Sequence, residues 1–212
     1  LGLVIWSSRG NVQSSRLKQL VIDLGADHGV VETLVASRDV SSVYAWLSLT
    51  GSPRPAIAGL TRRISEMRDV RVGVGEPQTG LAGFKATHEQ ALVARRLAQY
   101  PGSQKRRVIR YHDIAAATLL VKHPEDADPW TAEILGGLAG PGQDVERLRE
   151  TLRVYLESGE NASRAAVQLY VHRNTVKYRV ASALELLGVP LEHNRLSVAL
   201  ALNYHHVAMG HD

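Results

Sequence analysis

Seven side chains with nucleic-acid chemistry fall within eight consecutive positions: His172, Arg173, Asn174, Thr175, Lys177, Tyr178 and Arg179. Arginine can bond guanine bidentately, and asparagine can do the same with adenine. Thr, Lys and Tyr suit phosphates or thymine methyls. No acidic residue lies between Glu160 and Glu185, whereas Arg164, Arg173, Lys177 and Arg179 all do. A local positive field of that kind attracts a polyanion, so double-stranded DNA is the expected partner.

Two helices and a tight turn would position these groups. Ala165, Ala166 and Leu169 give the first helix a small packing face at helical spacing. Tyr170-Val171-His172 forms the turn, with Val171 as its buried plug. The second helix starts near His172 or Arg173 and is expected to bury Val176, Val180, Leu184 and Leu187. In a helix-turn-helix, the first residues of the second helix meet base edges in the major groove. The competing reading is a helical hairpin that only packs and carries a solvated basic face. The turn length, the plug at Val171 and the VHRNT opening of the second helix favour DNA.

The run LRETLRVYLESGENASRAAVQLYVHRNTVKYRVASALELLG resembles the C-terminal helix-turn-helix of the PucR/CdaR family of bacterial transcription regulators, from Leu148 to about Leu202. Its most specific element is VHRNTVKYR, Val171 to Arg179. The resemblance implies that the seven side chains named above sit at the DNA-facing end. It also implies a homodimer or higher homo-oligomer in the cytoplasm, with an effector the sequence does not identify.

Upstream, the order reads β-α-β-β-α-β. Leu1–Trp6 is a continuous apolar run, consistent with a buried strand. Leu17, Leu20, Val21 and Leu24 mark an amphipathic helix. Val30–Ala36 and Val43–Leu49 form a hairpin across Ser37-Arg38-Asp39. Ile57, Leu60, Ile64 and Met67 mark a second helix, and Val70, Val72 and Val74 alternate as a strand. Gly80 to Gly83 reads as a loop, and Phe84 to Gln99 as a helix stopped at Tyr100-Pro101-Gly102. Residues 107–111 offer a further strand. The expected class is α+β: a ferredoxin-like antiparallel sheet with helices on one face, followed by an all-α helix-turn-helix domain. The sheet domain is placed at 1–121. A polar, proline-containing connector follows at 122–143, and the DNA-binding domain at 144–212, whose last helix shows Leu196, Leu200, Tyr204 and Val207.

Val70 to Ala98, VRVGVGEPQTGLAGFKATHEQALVARRLA, resembles the closing strand and helix of the GGDEF-like domain of PucR/CdaR regulators, which is related to diguanylate cyclases. A cyclase would need GG[DE]EF in the central hairpin and an Asp after the first strand, because carboxylates and divalent metal hold the phosphates. Here the hairpin reads Ser37-Arg38-Asp39-Val40-Ser41-Ser42, and the first strand ends in Ser7-Ser8. The domain therefore reads as a degenerate, non-catalytic relative, with Asp39 as a turn residue. Gly73-Val74-Gly75, Gly80 and Gly83 lack both dinucleotide-binding and P-loop spacing.

The 212 residues suffice for one large or two small domains, and a hydrophobic fraction of 44% allows a core. The formal net charge of +4 is only mildly basic. With no cysteines, thiolate metal sites and disulfides are excluded. The nine histidines show no metal-ligand spacing, so no cofactor or metal is expected. No apolar run approaches the roughly 20 residues of a membrane helix. The chain starts at Leu1, already strand-like and without Met, which suggests a fragment lacking an upstream sensor. The rival reading is a nucleotide-binding or dimerisation module with accessory helices.

Overall fold

The computed structural model describes residues 1–25, 29–100 and 106–208. They form two compact units. The first holds Leu1–Gln99 and the chain from 106 to 115; the second holds the chain from Ala116 onward, together with Tyr100.

The first unit is a five-stranded sheet. Its elements are β1 (Gly2–Ser7), α1 (Ser14–Gly25), β2 (Val30–Asp39), β3 (Ser42–Leu49), α2 (Arg54–Ser65), β4 (Val70–Val74), α3 (Gly80–Leu97), β5 (Val108–Arg110) and the short α4 (Tyr111–Ile114). The strand order is β2-β3-β1-β4-β5. β1 runs antiparallel to both neighbours, with Leu3 opposite Ala45 on β3 and Val74 on β4. The first four strands are antiparallel, as the ferredoxin-like order requires, and β5 adds parallel to β4, with Val72 opposite Val108.

Helices lie on both faces of this sheet, not on one. Leu17, Val21 and Leu24 of α1 and Leu60 and Ile64 of α2 pack with Leu3, Ile5, Val43, Ala45, Leu47, Val70, Val72 and Val74. The opposite face is covered by α3. A Cβ on Gly2 would lie 2.9 Å from the Thr87 backbone; on Gly73, 2.5 Å from the Ala91 oxygen; and on Gly75, 2.0 Å from the Thr87 oxygen. Glycine at these sites lets the helix backbone press directly on the strands. β1 is consequently buried at all six residues, which accounts for its unbroken apolar sequence.

The loop expected at Gly80 to Gly83 is instead the first turn of α3. Gly80 at φ +71° has open space where a Cβ would be, and Gly83 fits against Gln78, whose Cβ would be 2.7 Å from a Cβ there. Pro101 and Gly102, the expected stop of that helix, lie outside the described residues. Residues 111–120 hold two short helices, α4 and α5 (Ala117–Leu120), which belong to different units.

The second unit contains α5, α6 (Pro124–Leu135), a 3-10 turn (Gly136–Ala139), α7 (Gln143–Glu157), α8 (Ala162–Leu169), α9 (Arg173–Leu186) and α10 (Leu191–Ala208). The stretch expected to be a connector, 122–143, is part of this unit's core. Ile134, Leu135 and Leu138 are buried in one cluster with Leu152, Ala165, Val176, Val180, Ala183, Val198 and Leu202. Pro124 sits in the first turn of α6, where its missing N–H costs nothing. Its polar residues are spent structurally: Asp128 accepts a 2.5 Å hydrogen bond from the Tyr204 hydroxyl of α10. Burial and Asp128 together push the Tyr204 phenol well above its ordinary value. Arg149 of α7, also buried, donates to the carbonyls of Leu138 and Gly140, fixing the 3-10 turn.

Candidate nucleic-acid interface

Asn161 opens α8. Its Oδ1 accepts from the backbone N–H groups of Ser163 at 3.0 Å and Arg164 at 3.1 Å, satisfying two donors that a helix start leaves unpaired. Tyr170 ends the helix in the left-handed region at φ 54°. The next residue, Val171, then donates its N–H back to Ala166 at 3.1 Å, the bond that closes a helix with a left-handed cap. Half-buried, the Val171 side chain packs on the core of the unit. The three-residue turn thus stands as the sequence suggested, with its plug half-buried where a buried one was expected.

His172 caps α9. Its Nδ1 accepts from the Asn174 N–H at 3.2 Å, so the ring proton is on Nε2, available as a donor on the exposed side. The helix starts at Arg173. Val176, Val180 and Ala183 are buried, and Leu187 packs beside them. Leu184, expected in this stripe, is 40% exposed. Eight residues from Val176 advance the helix by about 80° beyond whole turns, whereas seven leave it within roughly 20°; Ala183 therefore inherits the core position. In α10 the expected Leu196 is likewise exposed. Non-helical backbone at Asn194 (φ −124°) resets the phase there, and Val198, Ala201, Leu202, Tyr204 and Val207 face inward.

Of the seven candidates, His172, Arg173, Asn174, Lys177 and Tyr178 are exposed, and Thr175 and Arg179 are half-buried. They do not share one stripe. Asn174 and Tyr178 stand opposite the buried face. Arg173 and Lys177 occupy one flank, facing a groove of about 510 Å³ that also borders Asn161, Ala162 and Ser163 at the start of α8. Thr175 and Arg179 occupy the other flank. This groove unites two cationic side chains with the capped start of α8, and Glu160, ion-paired with Arg195, also lines it. Sequence spacing did not reveal Ser163 as a member, because its place depends on how α8 crosses α9. Among the described residues, the side chains of Arg164, Arg173, Lys177 and Arg179 make no hydrogen bond or ion pair.

Residues 148–204 match the PucR C-terminal helix-turn-helix domain, and residues 1–97 match the GGDEF-like domain. The chain is of the PucR type. Its similarity to the purine catabolism regulatory protein of Bacillus subtilis (strain 168) is 40% identity over 93 residues, covering 43% of this chain and 18% of that protein. The transcriptional activator PmfR of Paenarthrobacter nicotinovorans is 32% identical over 71 residues, 34% of this chain and 15% of the activator. The PucR-type chain thus spans less than a fifth of either relative. A crystal structure of a regulator of polyketide synthase expression from Bifidobacterium adolescentis aligns at TM-score 0.37 with 16% identity, over 96% of this chain and 83% of that one.

In the GGDEF-like half of the chain, phosphate and metal chemistry would fall to the β2–β3 hairpin and the end of β1. Asp39 is the sole carboxylate in the turn, and it is fully engaged. Its Oδ2 accepts from the Ser42 hydroxyl at 2.6 Å, and its Oδ1 from the Ser41 N–H at 2.9 Å. The bonds from Ser42 and Ser41 hold this carboxyl below the usual range. The first strand ends in the Ser7 hydroxyl, which donates to Asn11 at 2.9 Å. Among the described residues, no three His, Asp or Glu side chains group to hold a metal. These residues do not fit the phosphate-holding metal of a cyclase. No described helix is long and apolar enough to cross a membrane.

Proposed function

We propose that this chain is the sequence-specific DNA-binding part of a transcriptional regulator of the PucR/CdaR type. It acts as a homodimer in the cytoplasm, and its GGDEF-like domain carries no catalytic activity. The observation that carries the reading is the uncompensated cationic surface at the first two turns of α9, on a helix rigidly capped and plugged at its start. Arg173 and Asn174 read base edges. Lys177 and Arg179 take phosphates, and His172, Thr175 and Tyr178 complete the surface. Two half-sites bound together multiply the affinity of each.

The two classes of contact fail differently. After the preferred site has been selected from a random DNA pool, Arg173→Ala is expected to cost about 1–3 kcal/mol on that site and to relax one base position. Lys177→Ala is expected to weaken all sequences alike and to reduce the salt slope by about one. Titration of specific and scrambled duplexes across a salt series separates them, and wild-type affinity from both variants would remove the DNA reading. Incubation of the chain with GTP and Mg²⁺ or Mn²⁺ is expected to yield no cyclic dinucleotide above a protein-free blank; turnover would overturn the non-catalytic assignment.

A further inference from the structure

The sheet face that carries α3 is closed unevenly. Over β1 and β4 the helix backbone rests on glycines. Over β3 the helix is met by rings. Trp46 lies flat on Phe84, with centroids 4.4 Å apart and planes 11° from parallel, and Tyr44 meets His88 edge-on at 4.5 Å. Over β2 the face is open: Glu32, Leu34 and Ala36, which pair with Ser48, Trp46 and Tyr44, are all exposed. Thr33 and Val35 turn the other way, toward α1 and the core.

A cavity of about 640 Å³ lies on this face, within the roughly 300–1,000 Å³ of small-molecule sites. Its apolar lining includes Leu34, Trp46 and Phe84, and its polar lining includes Glu32, Ser48 and Gln78. The aromatic side is preformed, because the Trp46 indole N–H donates to the Phe84 carbonyl at 3.2 Å and fixes the ring. Leu34 and Phe84 are 54% and 42% exposed, apolar surface that a ligand with an apolar body would remove from water. Charge narrows the ligand further. Glu32 alone among the lining residues has a charged side chain, and its carboxylate makes no hydrogen bond or ion pair among the described residues. The Leu1 amino group, also at this site, donates to the Leu47 carbonyl at 2.9 Å, and burial holds it below its ordinary range. A cation therefore meets a free carboxylate beside aromatic rings, and both attract it.

We propose that this cavity binds an organic cation: a protonated amine on a flat aromatic body, its ammonium on Glu32 and its ring against Leu34, Trp46 and Phe84. The inference goes beyond the DNA reading and does not rest on it. The probe is phenethylamine, titrated into the isotope-labelled full chain at neutral pH while the indole N–H resonances are followed. Binding is expected with a Kd of about 0.1–1 mM. Of the three tryptophans, the Trp46 signal, identified by its loss in Trp46→Phe, should move while those of Trp6 and Trp130 stay in place. Phenethyl alcohol, the neutral analogue, should bind about fivefold more weakly, and anionic hydrocinnamate more weakly still. Glu32→Gln should weaken the amine about fivefold and leave the alcohol unchanged, a split that a general disturbance of the site would not produce. Glu32 is exposed, so folding is not at stake, and circular dichroism checks it. No shift up to about 10 mM amine, equal affinity for the alcohol or the acid, an amine affinity indifferent to Glu32→Gln, or shifts confined to the other two indoles would each overturn the site. Loss of duplex binding in the variants of α9 leaves it untouched, and a cavity that takes no amine leaves the DNA reading untouched.

Discussion

The two hairpins of this molecule use their polar residues in opposite ways. In the turn of the β2–β3 hairpin the one carboxylate, Asp39, is consumed by the turn it sits in, through Ser41 and Ser42. Nearby cations are also engaged: the Arg95 guanidinium lies 5.5 Å over the Trp6 ring, and Arg71 donates to the Ala98 carbonyl at 3.2 Å. In the α8–α9 hairpin, by contrast, Asn161 and His172 cap the two helix starts and the left-handed Tyr170 closes the turn, leaving the arginines and lysine unspent. A side chain available to a ligand is one the fold does not need. By that measure the phosphate chemistry of this chain lies in the helical hairpin.

The largest test of the comparison asks whether the α9 surface has a rigid base. Val180 is 8% exposed within the helical core. Val180→Asp would bury an unpaired charge at a cost of several kcal/mol. It is expected to abolish most of the helical unit's circular dichroism while the sheet of the first unit stays protected from hydrogen exchange. Native helix content with an unchanged melting temperature would show that α9 does not face that core.

Next in size is the packing of α3. Gly75→Val would drive a Cβ to 2.0 Å from the Thr87 carbonyl oxygen, a backbone atom that cannot swing away. A loss of about 1–3 kcal/mol is expected, read as a lower denaturation midpoint of the sheet transition with duplex binding at native temperature retained. If duplex binding fell in step with sheet stability, the two hairpins would not be independent.

The smallest effect sharpens the contrast in how polar side chains are spent on capping. Asn161→Ala removes the acceptor for two backbone donors and should destabilise the helical unit by about 1 kcal/mol, while Asn161→Asp should restore most of it. Thermal melting of both variants checks this, and equal losses from the two would mean the cap contributes nothing.

Much of the fold was legible because large apolar residues recur with a clean period. The 3.6-residue repeat marked α1, and alternation marked β4. The second helical face of the sheet was hidden because it is written in small residues, Gly2, Gly73, Gly75, Ala91 and Ala94, which carry little hydrophobic signal. The apolar run of β1 already implied burial on both sides, though not which helix supplied it. Polar composition and two prolines disguised α6 as a connector, although a helix tolerates Pro124 in its first turn and this one also holds Pro129 inside it. In the candidate site, the turn and the start of α9 could be read from residue types alone. The division of six of the seven side chains among three faces, and the groove shared with Ser163, required the rotation of α9 about its own axis and its crossing with α8.

The central position of β1 also sets an order of events in time. The first strand of the chain is the one enclosed on both sides, with Leu3 opposite Ala45 and Val74. It cannot reach its final state until β3 and β4 exist, so this sheet closes late, after long loops have been brought together at an entropic cost. The α8–α9 hairpin packs on itself and on α7, nearer in sequence than the strands that enclose β1, and can assemble faster. During synthesis, the apolar sequence of β1 waits for partners made much later. That interval is when the sheet half is most exposed to aggregation.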